Sequence, residues 1–463
     1  MAFRPSKNTL MEGPILKNLI LFTLPILMGT VVTQLYNLTD SVIVGNHIGA
    51  EALAAVSATS PTTNIINLFL IGLSAGSTVI IGQRIGAGDK KRLQDAINTI
   101  AIITVAFGIF ITVFGLVCCK LLLRLMNTPE NIFNDSYAYM MMIFVGTMGN
   151  IIYFMGSGCL RGMGDSVWSF NFLCICSVCN ILLDLLFVMV LEMGVFGAAV
   201  ATAISQIISG IGIIFRINTG AYYGIKLSFK NLTFSKFEAK EIAFIGLPAG
   251  IQQIGNTLAA FLVQSFVNSF GSDFIAANNI VTRIDNIANI PVMAMGTALG
   301  TFVAQNVGKY NFTRIRKGIN QSILSLQIVG IVMCITLLVS CNYIPYLFNS
   351  DPEVVKIAQK GIFITCFVNL FHGVDRCLVN AMRGMGKSVV PMITAQFGAL
   401  SRIPFAYFLG VKPNNQNGMF IALALASLMR SLAIALYYFC GGWNQAKASY
   451  LKKHPLPDGE TIK

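Results

Sequence analysis

Apolar runs of twenty or more residues recur along the whole chain, separated by short polar connections. About 20 apolar residues make a helix long enough to cross the hydrocarbon core of a bilayer. The pattern predicts about twelve such helices, over residues 15–44, 53–82, 96–120, 132–157, 167–190, 195–216, 241–269, 275–305, 319–348, 355–380, 389–410 and 418–440. The first follows the polar leader MAFRPSKNTLMEGPILKN, is too long for a signal-peptide core and lacks a small-residue cleavage site, so it reads as a retained span. The longest polar connection, INTGAYYGIKLSFKNLTFSKFEAK at 217–240, separates two sets of six. The expected fold class is an all-α polytopic membrane protein: an N-terminal six-helix lobe at 1–216, a basic cytoplasmic linker at 217–240, a C-terminal six-helix lobe at 241–445 and a cytoplasmic tail at 446–463.

The two sets share one register. IIGQRIGAG at 80–88 matches FVAQNVGKY at 302–310, LRGMGDSV at 160–167 matches MRGMGKSV at 382–389, and the pairs Gln83/Gln305, Gly86/Gly308 and Arg161/Arg383 are each 222 residues apart. Six spans precede the second copy, so both copies start on the same side of the membrane. The repeat is therefore parallel, about an axis along the membrane normal, with a central cleft as the expected transport path. The acids are not duplicated: Asp40 aligns near Val263, and Asp184 aligns with Ala406. One lobe is expected to couple to an ion and the other to shape the cavity.

The first apolar run, TLPILMGTVVTQLYNLTDSVIVG from Thr23 to Gly45, contains a carboxylate. On a 3.6-residue helix Thr30, Thr33, Gln34, Asn37, Asp40 and Ser41 fall within roughly 60° of Asn37, while Ile26, Val32, Leu35, Leu38 and Ile43 take the remaining surface. An aspartate near the middle of a span costs on the order of 2.5–3.5 kcal/mol and belongs in a bundle interior or an aqueous cavity. Pro25 removes one helical hydrogen bond and sets a hinge below it. In the fifth span Asn180 and Asp184 are spaced i, i+4, with Ser177 on the same face; in the sixth, Thr202, Ser205, Gln206 and Ser209 form a second stripe. With Asp40 these predict a small polar chamber. An ionised buried carboxylate needs a partner that neither helix supplies, so proton uptake at Asp40 and Asp184 is expected.

The second half has stripes of its own: Gln253, Asn256, Thr257, Gln264 and Asn268; Asn278, Thr282, Asp285 and Asn289; and His372 with Asp375. A substrate cavity is expected from Gln34, Tyr36, Asn37, Gln206, Gln253, Asn256, Asp285 and Asp375. Arg283 or a facing group is a partner for Asp285 and Arg376 one for Asp375, so a purely structural role stays open for both acids.

Composition agrees with the hydropathy pattern. The 463 residues are 55% hydrophobic and 11% charged, with mean hydropathy +0.71, against about 25% charged in a soluble domain. The net charge of +13 does not imply nucleic acid. Lys7 and Lys17, the group Arg84 to Arg92, Arg216 to Lys240 with Lys226, Lys230 and Lys236, Lys309 to Lys317, and Lys447 to Lys453 fall in alternate connections. That is the positive-inside pattern, placing both termini in the cytoplasm of a multi-pass plasma-membrane protein whose bulk partner is the lipid bilayer. Eleven cysteines lie mostly inside apolar runs and read as inert packing rather than metal ligands. GAGDKK at 86–91 lacks the spacing of a phosphate loop, and no HExxH, GxSxG or paired acid/base set sits at membrane depth. Neither an ATPase nor a membrane-embedded enzyme is indicated, and no cofactor beyond H+ or Na+ is called for.

LP at 24–25, QLYNLTDSVIVG at 34–45, GQRIGAG at 82–88, RGMG at 161–164, NILLD at 180–184 and GAAVAT at 197–202, with the echoes LP at 247–248, AQNVG at 304–308 and RGMG at 383–386, resemble the multidrug and toxic compound extrusion (MATE) family over nearly the whole chain. The resemblance implies two six-helix lobes in a V-shaped arrangement and export of amphiphilic, often cationic organic compounds by a monomer in exchange for inward H+ or Na+. It matches Asp40, Asn180, Asp184 and Thr202 to the first-lobe coupling cluster and Pro25 to the bend in the first helix. A flippase for lipid-linked saccharides, of the same superfamily, is expected to hold several cationic residues in its spans, of which Arg402 is the one noted; an exporter of an endogenous metabolite is a further alternative.

Overall fold

The computed structural model describes residues 10–220, 224–227 and 232–455. Lys7, Lys230, Asn231 and parts of the expected linker and tail lie outside them. Among the described residues there are twelve helices and no strand: α1 (Ile15–His47), α2 (Ala50–Ala87), α3 (Lys90–Leu125), α4 (Glu130–Gly162), α5 (Ser166–Val190), α6 (Gly194–Thr219), α7 (Lys236–Asn268), α8 (Ser272–Gly308), α9 (Phe312–Ser340), α10 (Pro352–Gly384), α11 (Val389–Phe405, continuing as Ala406–Val411) and α12 (Gln416–Lys453). Ten of the twelve are long and apolar enough to cross a membrane. Of the others, α7 carries Gln252, Gln253, Asn256 and Thr257 along its middle, and α11 leaves α geometry after Phe405. The chain is an all-α polytopic membrane protein of two six-helix lobes. The ninth helix ends at Ser340, short of the expected 348, because Tyr343 opens a 3-10 turn containing Pro345 and Asp351 then caps α10.

The 222-residue repeat is written in the backbone as well as in the sequence. Gly49 and Gly271 precede α2 and α8, Asp89 and Asn311 cap α3 and α9, and Asp351 caps α10 where Pro129 precedes α4. Asp89 accepts a hydrogen bond from the Arg92 N–H and Asn311 from the Arg314 N–H, each satisfying one of the free donors at a helix start. The left-handed residues also recur in pairs: Gly88 with Tyr310, Gly164 with Gly386, and Glu192 with Asn414 at φ 50° and 49°. Both α5 and α11 end in π-helical turns, Leu185–Val190 and Ala406–Val411. Gly162 packs α4 onto α2, where an added Cβ would stand 2.7 Å from the Thr78 carbonyl oxygen; Gly384 packs α10 onto α8, with the Gly300 carbonyl oxygen at the same 2.7 Å.

The chain forms two compact units, one of Leu24–Gly250 and the other of Leu10–Thr23 with Ile251 onward. The first unit includes the start of α7: Gly72 and Gly76 of α2 abut its backbone at Gly250, Gly246 and Ile242, as small-residue spacing permits. Glu238 there makes a buried ion pair with Arg84 of α2 at 3.0 Å. The second unit includes the start of α1: Asn306 of α8 donates to the Leu10 carbonyl at 3.1 Å, Arg314 of α9 donates to those of Gly13 and Glu12 at 2.9 and 3.0 Å, and Thr23 contacts Met295. Unit membership thus changes within α1 next to Pro25 and within α7 next to Pro248.

Candidate functional site

In the first unit four helices converge on two carboxyls. Asp184 closes the α-helical part of α5 and is fully buried; Asp40 of α1 is half-buried, and the two carboxyls lie within hydrogen-bonding reach of each other. A hydrogen bond between two carboxyls requires a proton on one of them. Asn180, one turn before Asp184 and 1% exposed, donates to the Thr202 hydroxyl of α6 at 3.3 Å; with its amide turned over, it donates to Asp184 Oδ2 at 2.8 Å and accepts from the Thr202 N–H at 3.3 Å. Tyr36 lies beside the Thr202 side chain, and Tyr139 of α4, which the sequence did not single out, lies within electrostatic range of both acids. The Oδ1 atoms of Asp40 and Asp184 are buried with no partner among the described residues. Asp184 sits where α5 turns π-helical, a departure from α geometry that is frequent at functional sites.

The polar stripe of α1 is divided by this packing. Tyr36 and Asp40 turn inward, whereas Gln34 and Asn37 are exposed. Gln206 is half-buried against Gly146 with its Oε1 unpartnered, and Ser205 and Ser209 spend their hydroxyls on the carbonyls of Ala201 and Ser205. Pro25 lies inside a helix that continues unbroken through it.

In the second unit Gln253 and Asn256 are half-buried on α7. The acids turn mainly to partners on other helices. Asp375 of α10 is paired with Arg430 of α12 at 2.9 Å, with Arg376 only at 3.9 Å, and Asp285 of α8 faces Arg402 and Arg430 rather than Arg283. Arg402, noted in the sequence with little else as a cation in the spans, is joined here by Arg376 and Arg430. The signal was present as a lone Arg430 in the apolar run LALASLMRSLAIALYY.

The family model MatE matches residues 25–186 and 248–408, the two halves of the repeat. The chain belongs to the MatE family. It is 30% identical to "Probable multidrug resistance protein YpnP" of Bacillus subtilis, over 94% of this chain and 97% of that one. It is also 24% identical to the "FAD transporter" of Shewanella oneidensis, over 93% and 96%. Among solved structures, a MATE crystal structure in the bent conformation shares the fold at TM-score 0.88 and 22% identity, covering 97% of this chain and 99% of that one. Relatives of this MatE chain thus carry multidrug-resistance names, and the family is one of transporters.

Proposed function

We propose that this protein is a secondary antiporter of the plasma membrane that exports amphiphilic organic compounds in exchange for protons taken up at Asp40 and Asp184. The observation that carries this reading is the adjoining pair of carboxyls, on α1 and α5, with no basic side chain beside them among the described residues. Two like charges buried together are costly, so proton release from the pair is coupled to a change in its surroundings. α1 supplies the moving part: Pro25 weakens it one helical turn after Leu21, and Asp40 follows on the same rod. In this scheme a proton at the pair draws Tyr36, Asn180 and Thr202 together and lowers affinity for the exported compound, and deprotonation restores it. Na+ bound by the oxygens of Asp40, Asn180, Asp184 and Thr202 is the competing scheme.

The test is dye efflux from proteoliposomes under an imposed pH gradient, with a Na+ gradient as the alternative drive. Efflux driven by the pH gradient alone, and lost in Asp40→Asn, supports the proposal. Efflux that needs Na+ and ignores the pH gradient replaces the proton with sodium. The acids expected to bind a cationic substrate in the second unit, Asp285 and Asp375, face arginines, so they give no support to a cation-selective cavity there.

A further inference from the structure

We infer that Arg376, Arg402 and Arg430 form a binding site for the anionic head of a transported amphiphile. The inference rests on the export reading above and adds the charge of the substrate class. The three guanidiniums come from α10, α11 and α12 and lie within electrostatic range of one another. Against them stand the carboxylates of Asp285 and Asp375, leaving one net positive charge. Asp375 is committed to Arg430, itself 7% exposed. Arg402 makes no hydrogen bond or ion pair among the described residues, the Nε atoms of all three arginines are buried without a hydrogen-bond partner there, and so is Nδ1 of His372, which faces the same three arginines. Arg161 and Arg383 also leave their Nε atoms buried without a hydrogen-bond partner, but their terminal nitrogens are engaged: Arg161 donates to Ser157 and Ser74 at 2.6 and 2.8 Å, and Arg383 donates to Gln252, whereas Arg402 has no such contact among the described residues.

The arrangement is built into the packing. Gly398 of α11 has no side chain because Arg430 passes across it, the Arg430 Cα standing 3.2 Å from where a Cβ would lie. A buried positive surplus is unfavourable until an anion neutralises it, and the planar fork of arginine matches carboxylate, sulfonate and phosphate oxygens two at a time. The same chemistry suits a free organic anion or the headgroup of an anionic lipid.

The experiment compares two dyes on one xanthene scaffold, anionic fluorescein and cationic rhodamine 123, by fluorescence anisotropy with purified protein in neutral detergent. Wild type is expected to bind fluorescein. Arg402→Gln is expected to weaken that binding about tenfold or more, as loss of a charge-assisted contact does, with Arg402→Lys recovering part of it and rhodamine 123 affinity not falling. Repeating the titration in nanodiscs of phosphatidylglycerol and of phosphatidylcholine separates the sources: displacement of fluorescein by phosphatidylglycerol alone assigns the site to a lipid headgroup, and equal binding in both assigns it to a free anion. Equal fluorescein affinity in wild type and Arg402→Gln, or no fluorescein binding at all, overturns the inference. Because binding is read without a gradient, failure of proton-driven efflux leaves this result intact and counts only against the antiport reading.

Discussion

Arg402 occupies on α11 the repeat position that Asn180 occupies on α5, 222 residues earlier. Asn180 is followed one turn later by Asp184, and Arg402 by Ala406, the first residue of the second π-helical turn. One scaffold position therefore carries a neutral amide beside a carboxyl pair in one lobe and, in the other, a guanidinium that makes no hydrogen bond or ion pair among the described residues. Duplication preserved the backbone and let the charge invert.

Replacing either acid removes the proton the pair shares without removing volume. Asp40→Asn and Asp184→Asn are each expected to reduce gradient-driven efflux to the rate of protein-free liposomes while leaving expression and the thermal midpoint near wild type. Wild-type efflux from both variants would refute the coupling role.

Pro25 interrupts the hydrogen bonding of α1 at the point where unit membership changes. An interior proline costs a helix about 3 kcal/mol, so Pro25→Ala straightens and stiffens α1. We expect equilibrium dye binding within about twofold of wild type, because no cluster side chain is removed, and clearly slower turnover in proteoliposomes. Unchanged turnover would separate the proline from the transport cycle.

The Arg84–Glu238 pair is doubly hydrogen-bonded and almost fully buried, at 2% exposure on each side. Removing one partner strands a charge, and Glu238→Leu is expected to destabilise the protein by about 3–5 kcal/mol. The double variant Arg84→Met/Glu238→Leu should recover most of that loss, read as the thermal midpoint in detergent. A double variant as unstable as the single would show that lost packing, not the stranded charge, dominates.

Gly162→Ala and Gly384→Ala should behave as a matched pair, since each pushes a methyl group against a backbone carbonyl 2.7 Å away. Overpacking of this kind costs about 1–3 kcal/mol. A drop in thermal midpoint in only one lobe would mean that the two contacts relax differently.

The charge asymmetry of the connections predicts orientation. In a background with the eleven cysteines replaced, a cysteine at the exposed Thr313 should label only from the cytoplasm and one at the exposed Glu51 only from outside. The opposite pattern would invert the direction of transport. Asn231, a natural third reporter in the linker, lies outside the described residues.

The sequence alone determined the helices, their number, the repeat and its parallel sense, because each is set by properties local to the chain. A bilayer demands about 20 apolar residues per helix, helix ends demand caps and left-handed residues, and a duplicated gene keeps these at a constant offset. It also marked Asp40, Asn180, Asp184 and Thr202, since a carboxylate in an apolar run is costly enough to stand out by itself. Three features were decided only by tertiary structure. Which edge of the α1 stripe turns inward depends on the helices packed against it, so Asp40 and Tyr36 meet α5 and α6 while Gln34 and Asn37 do not. The starts of α1 and α7 join units other than the remainder of their own helices, through hydrogen bonds between residues up to 304 positions apart in sequence, such as Arg314 with Leu10. Finally, the partners of buried charges are chosen by distance in space: Arg376 is adjacent to Asp375 in the chain, yet successive residues on a helix point about 100° apart, and Arg430, 55 residues away, takes the carboxylate instead.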